Sequence, residues 1–257
     1  YLVLRDLGRI KVLALGQYKL RLGMGLVMNT DFGFGKLMTL NSLGRSTNSV
    51  RANTSRSSAN YLQGAASTVS ILKGLDLTAF VSYRPFDATL NESGTIRTIL
   101  KTGYHRTVSE LNRKNNAHQF TSGGNLHWEA SGFHAGITAI YCHVDKSLQP
   151  QTSQLYRLYY PSGSNFWNAS LDYGYMNYRL SFTGETATGN NNGIATINSL
   201  SYLVSNNLSI IALQRFYSKK YSSLFSSSFS EGGRIQNESG VYIGANWQAL
   251  RHLSLMF

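Results

Sequence analysis

His143 and Asp145, in "YCHVDK", lie two residues apart. On a β-strand that spacing puts both side chains on one face, where the histidine could serve as a general base and the aspartate could orient it. A barrel protease built that way needs a second acidic pair. The 12 acidic residues of the chain are too scattered to supply one, and a polar pair at a strand's rim is the plainer reading. A lipid hydrolase needs a serine nucleophile, a histidine and an orienting amide, but Ser and Asn are so abundant that no one serine stands out. His118, His127 and His134 fall on polar strand faces. His127 and Glu129 share one such face, with His134 just past the next turn. Three residues of these types suit a metal ion, although the polar lining of a lumen is the preferred reading. No catalytic residue, metal or cofactor is assigned from this set, and the sequence predicts a non-enzymatic protein.

The basic residues are more informative, because the chain carries a formal charge of +12. They gather in polar intervals: Arg45, Arg51 and Arg56 in the first; Arg97, Lys101, His105, Arg106, Arg113 and Lys114 in the second; Lys219, Lys220 and Arg234 in the last. The segment "TIRTILKTGYHRTVSELNRK" predicts a short basic helix. Arg97, Lys101, Arg106, Arg113, Lys114, Lys219 and Lys220 form the candidate phosphate-contacting patch. Such a patch can face lipopolysaccharide phosphates, which needs no specific ligand. It can also face nucleic acid, with aromatic neighbours such as Tyr104–Arg106 and Arg157–Tyr160 to stack bases. The lipid-facing reading asks for less and is preferred.

What must position these residues is a set of strands. Charged residues are only 14% of the 257, aromatics 12%, and the mean hydropathy is −0.20. No apolar run of about 18 residues exists, which excludes a transmembrane helix. Apolar side chains instead alternate with polar ones at a period of two, the mark of a strand with two different solvents. In "NLHWEASGFHAGITAIY" the apolar parity is even up to Ala130 and odd from Phe133, with Ser131-Gly132 as a tight turn between. The same device recurs at Lys73-Gly74, Met176-Asn177, Asn206-Asn207 and Leu250-Arg251-His252. With "KVLALGQYKLRLGMGL", where Tyr18, Leu20, Leu22, Met24 and Leu26 share a face, these make six hairpins, or about twelve strands.

The intervals between hairpins, roughly 27–63, 86–117, 144–164, 184–193 and 218–240, are long and polar. Short turns on one side, long loops on the other and aromatic residues at strand ends are the pattern of an outer-membrane barrel. A soluble sandwich or lipocalin-like barrel would carry more charge on its outer face. The sequence therefore predicts an all-β, antiparallel transmembrane β-barrel in the bacterial outer membrane, occupying 1–257 as one domain. On this reading Leu171 faces lipid, and Ser170, opposite, should tolerate substitution. The single Cys142 excludes an internal disulfide.

Two tracts add a resemblance. Residues 15–68 carry Gly16, Tyr18, Gly23, Gly25-Leu26, Phe32, Gly35-Lys36, Ser55 and Gly64-Ala65-Ala66. Residues 214–250 carry Tyr217, Tyr221, Phe229, Glu231, Asn237-Glu238, Gly240 and Tyr242. Both resemble large Bacteroidetes-type outer-membrane barrel proteins, whose full-length chains begin with helix-hairpin-helix repeats related to the DNA-binding part of competence proteins. The resemblance implies a barrel fragment, truncated at one or both ends, with Phe257 an internal strand residue. No helix-hairpin-helix signature lies in the sequence, so the DNA-binding portion is not carried over. The expected role is transport, binding or assembly of an envelope complex. The partners are outer-membrane lipid and lipopolysaccharide, with nucleic acid and partner proteins as the alternatives.

Overall fold

The computed structural model describes residues 1–31, 48–55, 59–250 and 253–256. The strands run in chain order β1 (Leu2–Leu7), β2 (Ile10–Leu22), β3 (Met28–Asn29), β4 (Ser49–Ala52), β5 (Leu62–Leu72), β6 (Leu75–Phe86), β7 (Ala88–Leu90) and β8 (Ile96–Ile99). After the one-turn helix α1 (Val108–Leu111) come β9 (Ala117–Ala130), β10 (Phe133–Leu148), β11 (Gly163–Met176) and β12 (Leu180–Gly189). The last are β13 (Ile194–Ser205), β14 (Leu208–Tyr217), β15 (Glu238–Leu250) and β16 (Leu253–Met256). Twelve of them form an antiparallel meander in the order β1-β2-β5-β6-β9-β10-β11-β12-β13-β14-β15-β16, with the four short strands β3, β4, β7 and β8 branching from loops. Among the described residues β1 and β16 do not pair with each other, so the barrel wall is not closed.

The parity swap is a hairpin. Ser131 (φ 51) and Gly132 (φ 83) both take left-handed backbone, the two-residue turn whose twist matches that of the flanking strands. Ala135 pairs with Trp128 and Ile137 with Leu126, so the apolar residues on either side of the turn share one face. A Cβ on Gly132 would stand 2.3 Å from the Met176 carbonyl oxygen. Gly132→Val is therefore expected to lower stability by at least about 1 kcal/mol, read as a lower urea midpoint in detergent. An unchanged midpoint would remove the turn's role in setting register.

That shared face is the lipid face. Leu77, Val81, Leu126, Ile137, Leu171, Leu200 and Ile210 stand exposed along it. Two aromatic rows bracket it on β10 and β11: Phe133 packs against Tyr175 with ring centroids 4.4 Å apart, and Tyr141 pairs across the ladder with Trp167. The eight residue steps from Phe133 to Tyr141 cover about 26 Å of strand, or roughly 20 Å of height at a tilt near 40°. An apolar band of about 25 Å between aromatic girdles is what a membrane-spanning barrel requires. The chain is an all-β, antiparallel transmembrane β-barrel.

Its inner face is polar and packed. Thr78, Asn125, Thr138, Asn168, Ser170, Asp172, Thr183 and Glu185 are all buried. They are joined by bonds such as Asn125 Nδ2 to Thr138 Oγ1 at 2.9 Å. Ser170, only 6% exposed and pointing into this interior, is not the tolerant position that alternation suggested. Three further expectations are corrected. "KVLALGQYKL" belongs to one 13-residue strand, β2, whose hairpin partner is the preceding β1; its apolar set Tyr18, Leu20 and Leu22 faces inward, fully buried. The interval 184–193 is not a long loop, because β12 continues to Gly189 and β13 starts at Ile194. The predicted basic helix shrinks to α1, since Ile96–Ile99 pairs as a strand instead.

Candidate ligand-binding cavity

The loops roof a cavity of about 750 Å³ at the loop-side mouth of the barrel. Five cations line it, Arg84, Arg97, Lys101, Arg157 and Arg234, against two acids, Asp31 and Asp87. Both acids are already engaged. Asp31 is paired with Arg51, and Asp87 accepts from His105 Nε2 at 2.7 Å and from the Asn115 N–H at 2.8 Å. The cavity field is therefore positive.

Each cation is held by its surroundings. Arg84 sits near the loop end of β6, 7% exposed, with its guanidinium 4.9 Å from the centre of the Tyr61 ring. Its Nε and Nη1 are buried without a hydrogen-bond partner among the described residues. Arg97 donates to Gln151 Oε1 at 2.6 Å. Arg234 lies 4.1 Å over the Tyr160 ring. Lys101 forms part of the cavity wall. Burial, then the nearby Arg234 and Arg84 charges, push its ammonium below the usual lysine range.

Of the patch expected from sequence, Arg97 and Lys101 enter the cavity and the other five residues do not. Arg106 lies 3.9 Å over Tyr104, and Lys219 lies 5.6 Å from the Tyr159 ring. Arg113 is half-exposed beside α1, while Lys114 and Lys220 are exposed on the rim. The helix is fixed by a capping box in which Thr107 accepts from the Glu110 N–H. Glu110 accepts in return from the Arg106 and Thr107 N–H groups, which hold its carboxyl below the usual range. Arg45 and Arg56 lie outside the described residues. Arg84 was missed because it stands in a strand, yet a signal existed. In "LTAFVSYR" it occupies the inner parity with Thr78, Phe80 and Ser82, a lone cation on an otherwise neutral face.

The interior beneath the cavity is filled. The segment Gly23–Met28 leaves β2 and runs inward, with Met24, Leu26, Val27 and Met28 buried. Glu185 on β12 accepts from the Met24 N–H at 2.7 Å and the Leu26 N–H at 3.1 Å, although five strands separate β2 from β12 along the sheet. The 218–237 loop holds the segment from the other side. Tyr221 donates to the Leu26 carbonyl at 2.9 Å, and the Ser227 N–H donates to the Gly25 carbonyl at 3.0 Å. Burial pushes the Tyr221 phenol well above its ordinary value, so it remains a neutral donor. Gly25 (φ 86) is required here, since a Cβ would meet the Ser227 oxygen at 2.5 Å. Thus the two tracts that carry the resemblance meet in the lumen. A second cavity of about 510 Å³ opens at the turn side, beside Lys11, Lys73, Asp76, His127 and Glu129.

The earlier catalytic candidates do not assemble. His143 Nδ1 pairs with Asn165 Oδ1 at 2.8 Å, and Asp145 accepts from the His118 N–H at 2.9 Å, so the two residues face different partners. His127 and His134 lie with ring centroids 5.9 Å apart near Asp172. Among the described residues no group of three or more His, Cys, Asp or Glu side chains is arranged to hold a metal.

No family model matches the chain, and no curated protein matches it. Among solved structures, the chain is similar to a point mutant of the ferric enterobactin receptor of Pseudomonas aeruginosa. That likeness has a TM-score of 0.44 and 11% identity over 77% of this chain and 34% of the receptor chain. The chain thus spans about a third of the receptor's length.

Proposed function

We propose that this chain is a non-enzymatic outer-membrane barrel that binds a ligand at its loop-side cavity and does not act as an open pore. The observation that carries the reading is the Gly23–Met28 segment, seated between Glu185 and the 218–237 loop. It stands between a cavity of ligand size on the loop side and a separate one on the turn side. The rim cations Arg106, Arg113, Lys114, Lys219 and Lys220 then face lipopolysaccharide phosphates. Planar-bilayer recording checks the reading: the wild-type barrel is expected to hold a small or silent conductance. A steady, porin-sized conductance would overturn it.

A second reading, nucleic-acid binding, draws on the rim pairs Arg106–Tyr104 and Lys219–Tyr159, where a cation already lies over an aromatic ring. It agrees with the resemblance to barrel proteins that carry helix-hairpin-helix repeats. It predicts retention of single-stranded DNA at low salt, with affinity falling steeply as salt rises. A detergent-purified barrel that ignores DNA at 50 mM salt (a condition of the order where such binding is strong) would end it.

A further inference from the structure

We propose that Arg84, Lys101 and Arg234 anchor a small organic polyanion, one carrying two or more phosphate or carboxylate groups, inside the loop-side cavity. The proposal rests on the ligand-binding reading above and names the ligand's chemistry. Three observations carry it.

The first is an excess of positive charge. Five cations line the cavity against two carboxylates, Asp31, paired with Arg51, and Asp87, which is shared between Arg84 and His105. Like charges brought together at a cavity wall repel, and a folded chain keeps them close at a cost that an anion relieves. The second is Arg84 itself. A guanidinium more than nine-tenths buried, with Nε and Nη1 unpartnered among the described residues, is an expensive arrangement for an ordinary structural residue. It forms part of the cavity wall, and anionic oxygens are the acceptors that its fork geometry fits. The third is the rest of the lining. The hydroxyl-rich run Ser226–Ser228 and the Tyr61 and Tyr160 rings offer donors and faces for an organic body, not for a bare ion. The volume of about 750 Å³ also exceeds what a single inorganic anion fills.

Lys101 gives the site a pH signature. Its ammonium is held below the ordinary lysine range by burial and by Arg234 and Arg84. A bound anion favours the charged form, so binding takes up a proton wherever free Lys101 is partly neutral. Affinity falls as pH rises through the lowered Lys101 value, sooner than an ordinary lysine would allow.

The test is calorimetric titration of the purified barrel, in neutral detergent, with tripolyphosphate and with citrate. Saturable one-to-one binding of at least one of them is expected. Lys101→Met and Arg234→Ala are each expected to weaken it about tenfold or more, and Arg84→Met at least as much. Lys114→Ala together with Lys220→Ala, on the rim, should leave it within about twofold. Arg84→Met is read only after heat-modifiable gel migration shows a folded barrel; Lys101→Met and Arg234→Ala are loop changes, outside the barrel wall, that keep the test alive if it does not fold. Equal losses from rim and cavity variants would mean a diffuse field and overturn the site. Binding of lipopolysaccharide or a short DNA strand, with neither small anion bound, would overturn it too. A barrel that conducts little but binds neither anion removes this assignment alone, whereas an open conductance removes the ligand-binding reading beneath it.

Discussion

Leu171→Arg is expected to cost the barrel about 2–4 kcal/mol of folding free energy in phospholipid vesicles, the range for a cation placed at the midplane on a lipid face. Leu171 is 48% exposed and pairs with Ile137, which is 59% exposed, so both side chains look outward. Their pair sits midway between the Phe133–Tyr175 and Tyr141–Trp167 pairs that mark the two interfaces on these strands. An arginine there is too far from either headgroup layer to reach water cheaply. Tyr178, 80% exposed in the turn beyond the girdle, is the proper comparison. Tyr178→Arg should cost no more than about 1 kcal/mol, because depth sets the penalty. Ser170→Arg would not serve, since that side chain points into the packed interior beside Glu185 and would fail for steric reasons. Equilibrium unfolding in vesicles, followed by heat-modifiable migration, reads the difference. Equal costs at 171 and 178 would sink the lipid-face assignment.

That experiment addresses what alternation alone made legible. The faces of β6, β9, β10 and β11 were readable because strand parity is local, and the turns because left-handed residues such as Ser131-Gly132 advertise themselves. Five of the six hairpins of the meander among the described residues followed from the same two signals, while the β1–β2 turn at Gly8 did not. What lay beyond them is non-local. Alternation in β2 says that Tyr18, Leu20 and Leu22 share a face, but not which solvent that face meets. They are buried inward because Gly23–Met28 and its covering loop lie inside the barrel. The interval 184–193 read as a loop because its Thr, Gly and Asn composition imitates one, while the ladder between β12 and β13 continues through Thr188 and Ile194. The cavity was half visible. Arg97 and Lys101 stood in a loop dense with cations, but Arg84, near the end of the preceding strand, joins them only because β7 and β8 fold back against the end of β10, a placement that no spacing encodes.

The curvature of the sheet brings β12 to the segment that follows β2 and so creates the bond network whose removal should open the barrel. Glu185→Ala is expected to release Gly23–Met28 and to convert a quiet bilayer trace into one with bursts of conductance. Glu185 Oε2 is the acceptor for two main-chain donors, Met24 N–H and Leu26 N–H, in an interior where their segment is fully buried. Alanine leaves both donors without it, and a stranded buried N–H costs about 1–3 kcal/mol. Water can repay that cost only by entering the interior, which is the opening itself. Part of the loss is offset, because a buried carboxylate facing Asp172 across the β11–β12 ladder is also removed. Glu185→Gln separates the two effects. Its amide oxygen can still accept from the segment while its charge is gone, so it should remain as quiet as wild type. If the alanine variant also stays quiet, with an unchanged unfolding midpoint, Glu185 does not latch the segment. If glutamine opens the barrel as fully as alanine, the carboxylate's charge and not its role as an acceptor holds the segment in place.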